Sequence, residues 1–150
     1  FPGQGSQSVG MLNGYEGNAV VEECIRRADE SLGFSISKLI AEGPAEELGL
    51  TVNTQPAILA TSVAFYNAWV AAGGPKPVVM AGHSLGEYSA LTAAGVFSLE
   101  DAVKLVRFRA EAMQSAVPVA SAAWLPSSVS RTKTLLPFAA KRAKPGSLKP

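Results

Sequence analysis

An α/β fold is what this sequence predicts, and three features of its middle third carry that prediction. Pro77-Val78-Val79-Met80-Ala81-Gly82 is too short and too continuously apolar for anything but a buried strand. A long apolar helix precedes it, and two helices follow, from about Gly86 and from about Leu99 to Ala116. Between strand and helix stands Gly82-His83-Ser84-Leu85-Gly86, a G-x-S-x-G turn.

Each element has its own local signals. Phe1-Pro2-Gly3-Gln4-Gly5-Ser6-Gln7 has the glycine and proline density of a loop, placed where a preceding strand would end. Val20 to Leu32 repeats apolar residues at spacings of three and four and stops at Gly33, the pattern of an amphipathic helix. Gly43-Pro44 is the next break. Pro44 suits a first helical position ahead of Ala45-Glu46-Glu47-Leu48, and Asn53 or Thr54 can cap the long apolar helix that runs to about Ala72. Gly73-Gly74-Pro75 ends it. No internal repeat is present.

The chain has 150 residues, about one domain, and 47 % hydrophobic content is enough to bury a core. The most apolar stretch, Ala57 to Ala72, is interrupted by Thr61, Ser62 and Asn67 and falls short of the roughly 20 apolar residues that cross a bilayer. It reads as a buried helix. No basic, apolar, small-residue succession opens the chain, and the single Cys24 cannot form an internal disulfide, so a soluble, cytoplasmic protein is expected. Cys24 falls with Val20, Val21, Ile25 and Ala28 at helical spacing and is assigned to the core, without chemistry. The first residue is Phe1, inside a motif, and the chain is expected to be a fragment at that end.

The formal net charge of +1 hides a split. Residues 1–118 hold seven Lys/Arg against twelve Asp/Glu, whereas residues 119–150 hold six Lys/Arg and no acid. Clustered basic residues attract phosphate, so the tail by itself suggests nucleic acid.

The chemistry is concentrated in the pentapeptide. A serine hydroxyl is a weak nucleophile that must be presented to a base and a substrate together, and a sharp strand-to-helix turn with flanking glycines does this for Ser84. The Leu85 amide opens the following helix and points at the place where an oxyanion would form, aided by the helix dipole. His83 is the only histidine, but consecutive residues at such a turn diverge, so it is expected to support or pack and not to act as the base. The sequence thus offers a nucleophile without a visible general base.

On the helix from Leu99, residues Ala102, Leu105, Val106, Ala110 and Met113 are expected to form the apolar stripe, and Arg109 sits among them. Burying an unpaired guanidinium is costly, so Arg109 either pairs with a structural carboxylate or awaits an anionic ligand, for which its planar fork is suited.

Phe1-Pro2-Gly3-Gln4-Gly5-Ser6-Gln7, Thr54-Gln55-Pro56-Ala57, Gly82-His83-Ser84-Leu85-Gly86-Glu87 and Arg107-Phe108-Arg109 with Met113-Gln114, in that order, resemble the bacterial malonyl-CoA:acyl-carrier-protein transacylases of fatty acid synthesis. The likeness runs from Phe1 to about Pro118. It implies an α/β-hydrolase-like large subdomain, with the small ferredoxin-like subdomain missing or scrambled here. By resemblance Ser84 is acylated, Arg109 grips the free carboxylate of the malonyl group, Gln4 borders the oxyanion site with the Leu85 amide, and Gln55 lines the same cleft. The implied reaction moves malonyl from its coenzyme A thioester to the phosphopantetheine thiol of acyl carrier protein through a Ser84 ester. It needs no metal or redox cofactor, and the partners are acyl carrier protein and the coenzyme A thioester, with no nucleic acid, no membrane and a monomeric state. The family's catalytic histidine is expected downstream, so the chain as given should be inactive. Three other readings share parts of the pattern: a serine esterase, a polyketide-synthase acyltransferase domain, and a carrier-protein-binding remnant. Arg109 on an apolar face and Gln4 in the glycine-rich loop both argue against the esterase.

After Pro118 the family continues with a glycine-rich run into Met-Ala-Ala-Ile-Leu-Gly-Leu, whereas this chain reads Val119-Ala120-Ser121-Ala122-Ala123-Trp124-Leu125-Pro126-Ser127-Ser128-Val129-Ser130. The codons GGC ATG GCT GCC ATC CTC GGT CTC spell Gly followed by that family run. Shifted by one nucleotide they spell Ala-Trp-Leu-Pro-Ser-Ser-Val-Ser, which matches Ala123 through Ser130. A frameshift, in the gene or in its sequencing, is therefore expected to have produced a basic and poorly ordered tail at 119–150, and the nucleic-acid reading falls with it.

Overall fold

The computed structural model describes residues 1–116, and these form six helices: α1 (Ala19–Leu32), α2 (Ile36–Glu42), α3 (Ala45–Gly49), α4 (Thr51–Ala71), α5 (Leu85–Ala93) and α6 (Leu99–Ala116). The expected domain boundary at 118 and the tail at 119–150 lie outside the described residues.

Helix α4 is the centre of the packing. Every residue from Thr54 to Thr61 is buried, so this segment is covered around its whole circumference, with Thr54, Gln55 and Thr61 as its polar members. One core joins Val21, Cys24, Ile25 and Ala28 of α1 to Ile58, Leu59, Val63 and Ala64 of α4, with Leu85 of α5 and Leu99, Ala102, Val103 and Val106 of α6. A second, smaller cluster sets Ile36, Leu39 and Ile40 of α2 and Leu48 of α3 against Ala57. No helix among the described residues is long and apolar enough to cross a membrane.

The boundaries follow local chemistry. The Asn18 side chain accepts from the Val20 and Val21 amides at the start of α1, and Gly33 closes it at φ 73°, the left-handed conformation that glycine adopts at least cost. Ser98 starts α6 by accepting from the Asp101 amide at 3.0 Å. Helix α2 was not among the sequence expectations; Ser35 caps it, accepting from the Lys38 amide. Pro44 lies one position earlier than expected, as the N-cap of α3.

Two expectations need correction. Helix α4 begins at Thr51, with Leu50 as its N-cap, and neither Asn53 nor Thr54 caps it. Both lie inside the first turn, and their side chains reach back to α3: Asn53 Nδ2 donates to the Glu47 carbonyl at 2.9 Å, and Thr54 Oγ1 to the Leu48 carbonyl at 2.5 Å. They add to the capping of α3, whose Glu47 carbonyl also accepts from the Leu50 amide at 3.2 Å.

The second correction concerns the strand. Residues 77–82 form no helix and no ladder, with a bend at Val78, and no strand occurs among the described residues, so the α/β expectation is met here only in its helices. An apolar run becomes a strand only when neighbouring chains accept its backbone bonds. The result is visible in the side chains, since Val78 and Val79, which a parallel sheet would bury, are 101 % and 80 % exposed. One backbone bond does reach the segment, from the Phe1 nitrogen to the Ala81 carbonyl at 2.8 Å.

Candidate active site

The G-x-S-x-G turn has the shape its sequence implies, without the strand. Ser84 is the N-cap of α5 and the only non-glycine residue at positive φ among the described residues, at φ 55°, ψ −112°. Such a conformation stores on the order of 1–3 kcal/mol and persists only where the surroundings over-determine it. The two glycines show how. A β-carbon on Gly82 would fall 2.0 Å from the carbonyl group of Gly86, and one on Gly86 would fall 2.4 Å from the Phe1 carbonyl oxygen. The turn is pressed between its own helix and the loop that opens the chain, and only hydrogen fits at either position.

Ser84 is exposed, and its hydroxyl oxygen accepts a hydrogen bond from Arg109 Nη2 at 3.1 Å. Arg109 Nη1 donates to Gln55 Oε1 at 2.7 Å, and Gln55 Nε2 points on to Met113 Sδ at 3.4 Å. The guanidinium also lies 5.6 Å from the centroid of the Tyr88 ring, close enough for a cation–π contact. Residues 54 positions apart in the sequence are thus joined to the serine in one chain of bonds, Gln55 to Arg109 to Ser84. Gln55 is fully buried, which fixes the Oε1 that orients the arginine.

Arg109 itself lies half-buried at the edge of the apolar face, not within it. The buried face of α6 is Leu99, Ala102, Val103, Val106 and Ala110, while Leu105 and Met113, expected in the stripe, are exposed. A 3.6-residue period turns these two past the edge that α1 and α4 cover. Arg109 forms no ion pair among the described residues; its protein partners are neutral.

The remaining candidates fall as follows. The Leu85 amide is the first of α5, where helix geometry provides no acceptor, so it is available to a ligand at the serine. Gln4 stands in the loop that packs on the turn, and its Nε2 donates to Thr51 Oγ1 at 2.6 Å, with no bond to Ser84 or Leu85. His83 is exposed, and Ser84 Oγ makes no hydrogen bond to it. Cys24 is buried in the core against α4, and burial pushes its thiol up to about 11, which leaves it inert at neutral pH. Thr51 and Tyr88 were not anticipated, because their roles depend on contacts between elements distant in sequence. Two cavities, about 460 Å³ beside Phe1, Tyr66 and Trp69 and about 770 Å³ beside Met80, Gly82 and Glu87, are not lined by Ser84 or Arg109.

A strained serine at a helix N-terminus, with an unpaired arginine on its hydroxyl, is the class of site that acyl-group chemistry uses. The chain belongs to the acyl transferase domain family, whose model matches residues 1–135. It is 55 % identical over 119 residues to the malonyl CoA-acyl carrier protein transacylase of Salmonella typhimurium, an alignment covering 79 % of this chain and 38 % of that protein. Among solved structures, the acyl-carrier-protein S-malonyltransferase of Burkholderia pseudomallei is similar at 61 % identity and a TM-score of 0.76, over 79 % of this chain and 38 % of that one. A malonyl-transacylase solved in complex with a type II polyketide-synthase acyl carrier protein is similar at 50 % identity and a TM-score of 0.76, over the same shares of the two chains. The chain therefore spans 38 % of the length of these relatives.

Proposed function

We propose that this protein carries the acyl-accepting half of a malonyl-CoA:acyl-carrier-protein transacylase. The observation that carries the reading is the placement of Arg109, 3.1 Å from the Ser84 hydroxyl, held by a neutral glutamine and facing no carboxylate among the described residues. In a malonyl thioester a single methylene separates the reacting carbonyl from the free carboxylate. A cation that grips that carboxylate must therefore stand beside the nucleophile.

In this reading Ser84 Oγ attacks the thioester carbonyl and gives its proton to a general base. The carbon–sulfur bond breaks, coenzyme A leaves as thiolate, and the malonyl group remains as an ester on Ser84. The Leu85 amide and the dipole of α5 stabilise the oxyanion, with Gln4 at its border. The phosphopantetheine thiol of acyl carrier protein then reverses the step and removes the malonyl group; the relative solved with its carrier protein supports this partner. Arg109 selects malonyl over acetyl, because an uncharged acyl group leaves the guanidinium unpaired. His83 is not the base. We assign that role to a histidine encoded in the restored frame beyond Pro118, so the 150-residue chain alone transfers malonyl groups negligibly, lacking a contribution usually worth about 10²–10⁴ in rate.

The test is kcat/KM for malonyl-CoA and acetyl-CoA in the frame-restored enzyme and its Arg109→Ala and Arg109→Lys variants. Arg109→Ala is expected to shift the malonyl-to-acetyl ratio by about 2–5 kcal/mol, the usual range for truncating one member of a buried charge pair. Arg109→Lys recovers little, since an ammonium lacks the planar fork. An unchanged ratio in Arg109→Ala removes the arginine from the substrate site.

A further inference from the structure

The first turn of α4 meets both sides of the site. Thr51 Oγ1 accepts from Gln4, and Gln55 Oε1 accepts from Arg109, so five successive residues hold the arginine that reaches Ser84 and a side chain of the loop that packs on the turn. That turn also contains a defect. Pro56 lies inside α4 and has no N–H, so the carbonyl four residues back, Val52, receives no helical hydrogen bond. The usual results are a kink or a hydrating water.

Here a side chain from another helix occupies the position. Arg107 Nη1 donates to the Val52 carbonyl at 3.0 Å and, with its second hydrogen, to Asn53 Oδ1 at 3.0 Å. Its Nε donates to Glu111 at 2.7 Å, and the guanidinium stacks 5.1 Å from the Phe34 ring centroid. The arginine is thus anchored on α6 at its base and delivers a hydrogen bond to α4 at its tip. Arg109, two residues further along the same helix, bonds Gln55, three residues beyond Val52 on α4.

We propose that Arg107 is a positioning residue that replaces the amide Pro56 lacks, locking the first turn of α4 against α6 so that Gln55 holds Arg109 beside Ser84. The proposal deepens the reading of Arg109 as a carboxylate-binding group and rests on it for its functional consequence. Arg107 touches no substrate in this scheme. It acts through Val52 and Asn53, which separates it from Arg109.

A double-mutant cycle tests it, because Pro56→Ala restores the missing N–H and should make Arg107 dispensable. The 150-residue chain, uniformly labelled with ¹⁵N, is measured in two ways: hydrogen exchange of the Thr54 and Gln55 amides, and the response of the Arg109 guanidinium signal to sodium malonate. In Arg107→Met the two amides should exchange about tenfold faster and malonate should bind Arg109 about three- to tenfold more weakly, as for the loss of one hydrogen bond. In the Pro56→Ala background the same substitution should change either quantity less than about threefold. Arg107→Lys keeps donors enough for both acceptors but loses the Nε bond to Glu111 and the planar group over Phe34 that anchor the side chain, so it should fall between wild type and Arg107→Met. Equal exchange in wild type and Arg107→Met, or no rescue by Pro56→Ala, overturns the proposal and leaves Arg107 as a partner of Glu111 and Phe34 only. If Arg107→Met does not fold, folding of the double variant supports the proposal and failure of both overturns it. Malonate that moves no Arg109 signal in the wild-type chain, with the exchange pattern intact, supports the locking of the turn and overturns the carboxylate reading instead.

Discussion

Replacing Ser84 by glycine and by alanine separates the strain of the turn from the chemistry of its hydroxyl. Both variants lose the hydrogen bond from Arg109, and neither loses a helix cap, since the Ser84 side chain makes no capping bond to α5. They differ in the β-carbon, which alanine keeps at φ 55°, ψ −112°. That conformation costs an L-residue on the order of 1–3 kcal/mol. Glycine returns about 0.5–1 kcal/mol of this through the freedom it gains in the unfolded chain. Ser84→Gly is therefore expected to be more stable than Ser84→Ala by about 0.5–2 kcal/mol, with the better standing of glycine at an N-cap adding in the same direction. Urea unfolding of the 150-residue chain followed by circular dichroism measures the difference; at about 1–1.5 kcal/mol/M it moves the midpoint by roughly 0.3–2 M. A glycine variant no more stable than the alanine variant would refute the strain, and with it the view that the fold forces this serine into an exposed, high-energy turn.

Gly86→Ala is expected to destabilise the chain by at least about 2 kcal/mol, as overpacking against backbone does, because the new methyl would meet the Phe1 carbonyl oxygen at 2.4 Å; the same urea titration checks it. In the enzyme that the proposed frame restoration after Pro118 is expected to give, Ser84→Ala should leave the fold intact and yield no malonyl-enzyme by mass spectrometry, and an ester surviving in that variant would move the nucleophile elsewhere. Cys24 provides a pH dependence. Its folded thiol stands at about 11 against 9.0 unfolded, so above pH 9 the unfolded state releases the proton first and gains stability relative to the fold. Stability should fall between about pH 9 and pH 11 by up to about 3 kcal/mol, and Cys24→Ala should remove that slope from a pH series of unfolding curves.

How much was legible in advance differs from residue to residue. The start of α6 at Leu99 was legible, and α1 to within one residue, because apolar periodicity and a glycine stop act locally. The turn at Ser84 was legible because close approach allows only glycine at 82 and 86, and that requirement is written in the residue type. Residues 77–82 misled for the opposite reason, since their apolar character states that they should be covered but not that a partner lies within reach. Arg109 was conspicuous as a charge at an apolar position, whereas no pattern pointed to the bond of Arg107 to Val52, which depends on where two helices cross.

What the sequence by itself determined is local: the helices, the glycine-flanked serine, and the presence of a cation that ordinary patterning would not place near a core. Only the tertiary structure decided which partner each group received. Arg109 was left open between a structural ion pair and an anion site, and the packing of α6 on α4 gave it Gln55 and Ser84 and no carboxylate among the described residues. The physical reason is the short range of a hydrogen bond. Its existence turns on distances of about 3 Å between residues dozens of positions apart, and only the packed helices set such distances.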